Sequence, residues 1–240
     1  MSAAPVSDAR LPPSRRLIVA LDVPEAAAAR ALVEELGDAV QFYKIGLELA
    51  VSGAYFELLE WLIRRDKHVF ADLKLYDVPA TVAAAVRQLA GRGVEFLTVH
   101  GDRAIMQAAA AEKRRLRILA VTVLTSMDGD DLRQQGIELD LPRLVLHRAR
   151  LAMSAGCDGV IASGLEAAAL RRTLGAQPLI VTPGIRPYAT AGGDQKRVVT
   201  PAQALANGAS HIVVGRPIRD APNPRERAQA IQAEIADALR

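Results

Sequence analysis

The chain reads as an α/β protein, a single-domain (β/α)8 barrel of the TIM type. Three observations predict this. Short β-branched runs alternate with Ala-rich helical stretches, which points to a parallel sheet with crossover helices. The alternation passes through eight units in 240 residues, matching a closed barrel better than an open doubly wound sheet. Polar residues and glycines follow the carboxyl ends of the apolar runs, where barrel loops carry function.

The elements follow in order. Residues 1–16 hold Pro5, Pro12, Pro13 and polar groups without the apolar core of a signal peptide, so they read as a frayed leader to a barrel over 17–240. The first strand is Leu17–Leu21, with a helix over Glu25–Leu36. Strand Gln41–Ile45 precedes helix Ala54–Arg65, and strand His68–Lys74 precedes helix Pro79–Arg92, opened by proline at a favoured first position. Strand Phe96–His100 leads to helix Arg103–Arg114, and strand Ile118–Leu124 to helix Leu141–Ala155. Strands Gly159–Ser163 and Leu179–Thr182 alternate with helices Glu166–Leu174 and Pro201–Asn207. Strand Ile212–Gly215 and helix Arg225–Leu239 close the chain. Gly37, Gly93, Gly156, Gly175 and Gly208 stand at helix-to-strand turns, as C-caps. The glycine-rich stretch Ala189–Asp194 reads as a flexible loop after strand seven.

Composition narrows the functional classes. Half of the residues are apolar, enough for a sizeable core. The net charge is only +3, aromatic residues are 4%, and no basic run has interleaved aromatics, which argues against nucleic-acid binding. Arg114, Arg115 and Arg117 form the densest basic cluster, expected at a solvated helix end. Apolar stretches fall short of the about 20 residues of a membrane span. The lone Cys157 excludes an internal disulfide and is expected as a buried thiol in a reducing, cytoplasmic setting. Of 30 basic residues, 25 are Arg and 5 are Lys. A retained lysine therefore marks a place where a compact, deprotonatable ammonium serves and guanidinium does not.

Two of those lysines, Lys44 and Lys74, fall at strand ends. In ADLKLYDVPAT, Asp72, Lys74 and Asp77 have the spacing D-x-K-x-x-D. Strand alternation places Asp72 and Lys74 on one face, with Leu73 and Leu75 on the other. Such a charge cluster is either a salt bridge trimming a strand end or a site that answers a ligand. Asp22 ends strand one, Thr125 and Ser126 follow strand five, Pro183 and Arg186 lie in TPGIRP after strand seven, and Gly215 and Arg216 lie in GRP after strand eight. Singly, each has a structural explanation. Asp22 could cap the helix beginning at Pro24, and His100 could be a core histidine. Together they ring one mouth with Asp, Lys and Arg.

The loops after strands seven and eight are where barrels often hold phosphate. Gly184 and Gly215 let backbone N–H groups approach an anion, and Arg186 and Arg216 can bond to it. Asp22, Asp72 and Asp77 could hold Mg2+ as a carboxylate group, but Lys44 and Lys74 would oppose the ion, so no metal is expected.

At this point the chain resembles the orotidine 5′-monophosphate decarboxylases. DLKLYDVPAT is similar to their signature D-x-K-x-x-D-[IV]-P-x-T. ALDVP around Asp22, YKIGLEL around Lys44, VTVLTSMD around Thr125, VTPGIRP around Arg186, GDQKR around Gln195 and VVGRPI around Arg216 follow in the family's order. Tyr76 and Ala80 depart from it without removing a charged member. The resemblance implies decarboxylation of orotidine 5′-monophosphate to uridine 5′-monophosphate (UMP) and CO2, the last step of de novo pyrimidine synthesis, with no metal and no organic cofactor. It implies that Lys74 protonates C6, that Asp72 lies near the substrate carboxylate, and that Lys44, Asp72, Lys74 and Asp77 form an alternating charge network. It further implies a homodimer in which Asp77 and Thr81 reach the neighbouring subunit's site. Asp22 would hold the ribose, Thr125 and Ser126 would lie along the pyrimidine, and Gln195 would bridge base and phosphate. Arg186, Gly215 and Arg216 would grip the phosphate, beside Pro183. Two rival readings are a Mg2+-dependent sugar-phosphate aldolase or decarboxylase of the same superfamily, which carries an acidic residue in place of Lys44, and a non-catalytic nucleotide-phosphate binder.

Overall fold

The computed structural model describes residues 11–187 and 197–240. Among them, eight parallel strands close into a barrel: β1 (Leu17–Ala20), β2 (Phe42–Gly46), β3 (His68–Leu75), β4 (Phe96–Val99), β5 (Arg117–Val121), β6 (Gly159–Ile161), β7 (Leu179–Thr182) and β8 (His211–Val214). Each strand pairs with the next, and β1 pairs with β8 to complete the ring. All eight expected strands form, with ends shifted by at most three residues and β7 as expected.

The helices cover the barrel in the expected order: α1 (Ala26–Leu36), α2 (Leu47–Ala50), α3 (Tyr55–Ile63), α4 (Pro79–Ala90), α5 (Arg103–Glu112), α6 (Gly129–Gln134), α7 (Leu141–Ser154), α8 (Ala167–Leu174), α9 (Pro201–Ala206), α10 (Arg216–Arg219) and α11 (Pro224–Ala238). Three short ones, α2, α6 and α10, were not expected. Each is only four to six residues long, too short to show a 3.6-residue apolar repeat. The five glycines read as C-caps all adopt positive φ, between 55° and 91°, where a side chain would strain the backbone.

Strand alternation divides the core in two. Leu17, Val19, Leu21, Tyr43 and Ile45 point outward and pack under the helices. Ile18, Phe42, Phe70, Phe96, Leu119, Leu179 and Val213 point inward and fill the barrel. Beneath this inner layer, Glu95 gathers Arg15 at 2.7 Å, His68 at 2.7 Å and Arg117 at 3.5 Å. Arg117 thus belongs to β5, its guanidinium 5.4 Å from the Phe96 ring, and not to the solvated helix end expected of it. Of the leader expected over 1–16, residues 11–16 pack onto the barrel: Leu11 and Arg16 are buried and Pro13–Arg15 form a 3-10 turn. Residues 1–10 lie outside the described part. Cys157 is a buried free thiol, its pKa pushed up to about 12, first by burial and then by Asp158.

Candidate active site

The same alternation selects the side chains at the barrel mouth. Two residues beyond Ile18, Phe42, Phe70 and Phe96, on the same inward faces, come Ala20, Lys44, Asp72 and Thr98; Asp22 follows Ala20 by two more. Above the apolar layer, Asp22, Lys44 and Asp72 are polar because the barrel opens there. A cavity of about 400 Å³ lies over them. Its floor is Ala20, Phe70, Val121, Ile161 and Val213, and its wall holds Asp22, Lys44, Asp72, Lys74, Thr125, Ser126, Pro183, Gly184, Arg186, Gly215, Arg216 and Arg219.

Four charges of alternating sign run along one wall. Lys44 Nζ is 2.8 Å from Asp22 Oδ1 and 3.5 Å from Asp72 Oδ2, and Lys74 Nζ is 2.9 Å from Asp72 Oδ1. Burial opposes charge on both central members. For Asp72, Lys44 and Lys74 outweigh it and hold the carboxyl below its ordinary value, helped by hydrogen bonds from Lys74 and Thr98. For Lys44, the carboxylates of Asp72 and Asp22 outweigh burial and raise the ammonium's pKa. The row is therefore charged throughout its centre. Arg186, just after β7, and Arg216, at the head of α10 after β8, line the same cavity and add positive charge to it.

Asp72 and Lys74 meet, but not along a regular strand. The pairing of β3 with β4 shifts register between Ala71 and Leu75, and Lys74 adopts a left-handed φ of 48°. Four residues of β3 span what two residues of β4 span, a bulge that re-aims the lysine. Leu73 and Leu75 still pack against the outer core, as alternation required.

Ten of the thirteen residues singled out from sequence line this one cavity: Asp22, Lys44, Asp72, Lys74, Thr125, Ser126, Pro183, Arg186, Gly215 and Arg216. Asp77 and Thr81 do not. Both are exposed, and Asp77 Oδ1 accepts from the Val78 N–H at 2.6 Å. Within this chain, the carboxylate at the other end of the charge row is Asp22. Gln195, with the loop Ala189–Asp194, lies outside the described residues. His100 sits outside the cavity, its ring 5.7 Å from that of Tyr76, and its pKa is pushed down by burial and by Arg148 and Lys74. Sequence reading missed Arg219 and Thr98. Arg219 lies three residues after Arg216 on α10, lines the cavity and donates to the Asp22 carbonyl. Thr98 could have been found by counting two positions on from the inward-facing Phe96.

Comparison with known proteins bears directly on this arrangement. Residues 15–231 match the Orotidine 5'-phosphate decarboxylase / HUMPS family. A Methylococcus capsulatus protein named orotidine 5'-phosphate decarboxylase is 57% identical over 97% of this chain and 96% of its own length. One of the same name from Stenotrophomonas maltophilia is 54% identical over 100% of this chain and 99% of its own. The crystal structure of orotidine 5'-phosphate decarboxylase from Lactobacillus acidophilus superposes with a TM-score of 0.82 at 36% identity, covering 92% of this chain and 99% of that one. The match spans all eight strands and every described residue of the charged cavity, and on that ground the chain belongs to the orotidine 5'-phosphate decarboxylase / HUMPS family.

Proposed function

We propose that Lys74, in a cavity that converts orotidine 5′-monophosphate to UMP and CO2, protonates C6 of the pyrimidine. The decarboxylation itself, a step of pyrimidine biosynthesis, follows from family membership and from full-length relatives of that name. The lysine's role rests on one observation: an ammonium 2.9 Å from a half-buried carboxylate, in a cavity at the barrel mouth that two arginines also line.

The chemistry requires such a group. When the C6–carboxylate bond breaks, CO2 leaves and the electron pair stays on C6, with no carbonyl placed to delocalise it. The proton that takes up this pair comes from the Lys74 ammonium, which regains one from solvent. A prepositioned cation stabilises localised negative charge without reorganisation. At about 4 Å and an effective dielectric near 20 this contributes about 4 kcal/mol, whereas the largest enzymatic accelerations need about 23 kcal/mol. Binding of phosphate by Arg186, Gly215 and Arg216, and of ribose by Asp22, supplies the remainder when that binding is expressed at the transition state. Asp72 sits near the substrate carboxylate and orients Lys74; Thr125, Ser126 and Pro183 border the base and phosphate, and Gln195 bridges them.

Against the aldolase reading, the charge row holds two ammonium groups, Lys44 and Lys74, beside Asp72, and these disfavour Mg2+. The site is completed in a homodimer, with Asp77 and Thr81 entering the partner's cavity. What supports this is their exposure just beyond β3, with Tyr76 and Val78 on either side of Asp77 at 70% and 62% exposure. A cytoplasmic location is supported by the free, buried Cys157.

Turnover of orotidylate, followed by ultraviolet absorbance with excess EDTA, tests the assignment. Wild type is expected to consume substrate, and Lys74→Ala to lose at least about 10³-fold in kcat. Loss of turnover in EDTA, or a Lys74→Ala variant within tenfold of wild type, overturns it.

A further inference from the structure

We infer that Thr98 is a positioning residue for this reaction, its hydroxyl holding both the Asp72 carboxylate and the Lys74 backbone in register. This rests on the catalytic assignment of Lys74 and Asp72 above. Thr98 lies in β4, wholly buried, directly across from the bulge in β3. Its Oγ1 accepts the Lys74 N–H at 2.9 Å and donates to Asp72 Oδ1 at 2.9 Å.

The direction of these bonds is set by inventory. A hydroxyl has one proton and two acceptor sites. The amide of Lys74 can only donate, so the hydroxyl proton is left for the carboxylate, which can only accept. One side chain therefore fixes two things. It holds one oxygen of Asp72, the same oxygen that lies 2.9 Å from Lys74 Nζ. It also satisfies the amide of a non-glycine residue in left-handed conformation, a geometry that persists only when its surroundings enforce it. The stem of Lys74 leaves the chain at that residue, so the φ that Thr98 maintains sets where Nζ points. A neighbour without a hydroxyl, such as valine, would fill the same volume and do neither.

The charged groups facing Asp72 are Lys44 from β2 and Lys74 from β3, with Asp22 beyond Lys44. The buried Tyr55 hydroxyl of α3 also feels its charge. Thr98 is a neutral group that donates directly to Asp72.

Thr98→Val and Thr98→Ser test the inference, with two readouts. In Thr98→Val, kcat for orotidylate is expected to fall about 10- to 100-fold, the scale of a lost hydrogen bond to a charged group and of a misplaced reacting atom. UMP affinity is expected to stay within about threefold, because the phosphate grip is untouched. Thr98→Ser is expected to recover most of the rate. Independently of turnover, carbon-13 NMR titration of the Asp72 carboxyl is expected to show a higher pKa in Thr98→Val than in wild type. An unchanged Asp72 titration, an unchanged kcat, or a Thr98→Ser variant as slow as Thr98→Val overturns the role. If wild type fails to consume orotidylate while the Asp72 titration moves as expected, the catalytic assignment fails and the hold of Thr98 on Asp72 stands.

Discussion

Asp72 and His211 show what burial does to an ionisable side chain with and without countercharge. Asp72 keeps its charge because two ammonium groups lie within 3.5 Å. His211, inside the barrel below the active layer, has no such partner. It packs edge-on against Phe96 at 5.1 Å and Phe42 at 5.9 Å, and neither ring nitrogen has a hydrogen-bond partner among the described residues. Burial pushes its pKa from 6.5 to about 3; the attraction of Glu95 is opposed by Arg117, Arg16 and Arg15. The folded pKa lies below the unfolded one, so the unfolded state binds the extra proton. The resulting stability is present above pH 6.5 and is lost as pH falls from there toward 3. Between pH 7 and pH 5 this group alone is expected to remove about 2 kcal/mol. Urea unfolding at the two pH values, in wild type and His211→Leu, measures it: the variant is expected to show the smaller pH-dependent loss. Equal losses would mean that His211 is not the titrating group.

Among the elements, the strands set positions and the loops between them hold one another. Glu166, at the head of α8, pairs with Arg197 at 2.6 Å, and both side chains are buried. Arg197 also donates to the carbonyl of Leu124 at 3.0 Å, in the loop after β5 that carries Thr125 and Ser126. Three loops at the mouth are thereby tied at one ion pair. Burial raises the Glu166 carboxyl pKa even with Arg197 beside it. Removing one partner leaves the other charge or carboxyl buried alone, whereas removing both does not. Arg197→Met is expected to cost about 3–5 kcal/mol of stability, and the double change Glu166→Leu with Arg197→Met distinctly less. Urea denaturation of the three proteins decides this; a single variant within about 1 kcal/mol of wild type would show that the pair contributes little.

For the molecule as a whole, the open question of assembly is chemical: whether one chain holds every group of its site. The cavity of a single chain contains Asp22, Lys44, Asp72 and Lys74 but not Asp77. In a symmetric dimer with shared sites, inactive Lys74→Ala and Asp77→Ala chains complement each other. After remixing, one site in each mixed dimer is intact, so activity is expected to return to roughly a quarter of wild type. Light scattering on the same samples reports the dimer. No gain over the separate variants would place Asp77 in its own chain's site or outside the chemistry.

The barrel, its eight strands and ten residues that line its charged cavity were legible in the linear chain, for a local reason. Strand alternation, glycine C-caps and proline at the start of α4 are rules of neighbouring residues, and a barrel gathers its strand ends without needing further information. The D-x-K-x-x-D spacing likewise carried Asp72 and Lys74 to the same point. What the chain order did not disclose depends on contacts between residues distant in sequence. The bulge that turns Lys74 into left-handed conformation exists only in the pairing of β3 with β4. The hydroxyl of Thr98 meets Asp72 across 26 positions, and Arg219 meets the Asp22 carbonyl across 197. Asp22 joins the charge row because Ala20 pairs with Lys44 across neighbouring strands. Strand order and register, which bring separate segments within hydrogen-bond reach, set those partners; side-chain periodicity within any one segment is blind to them.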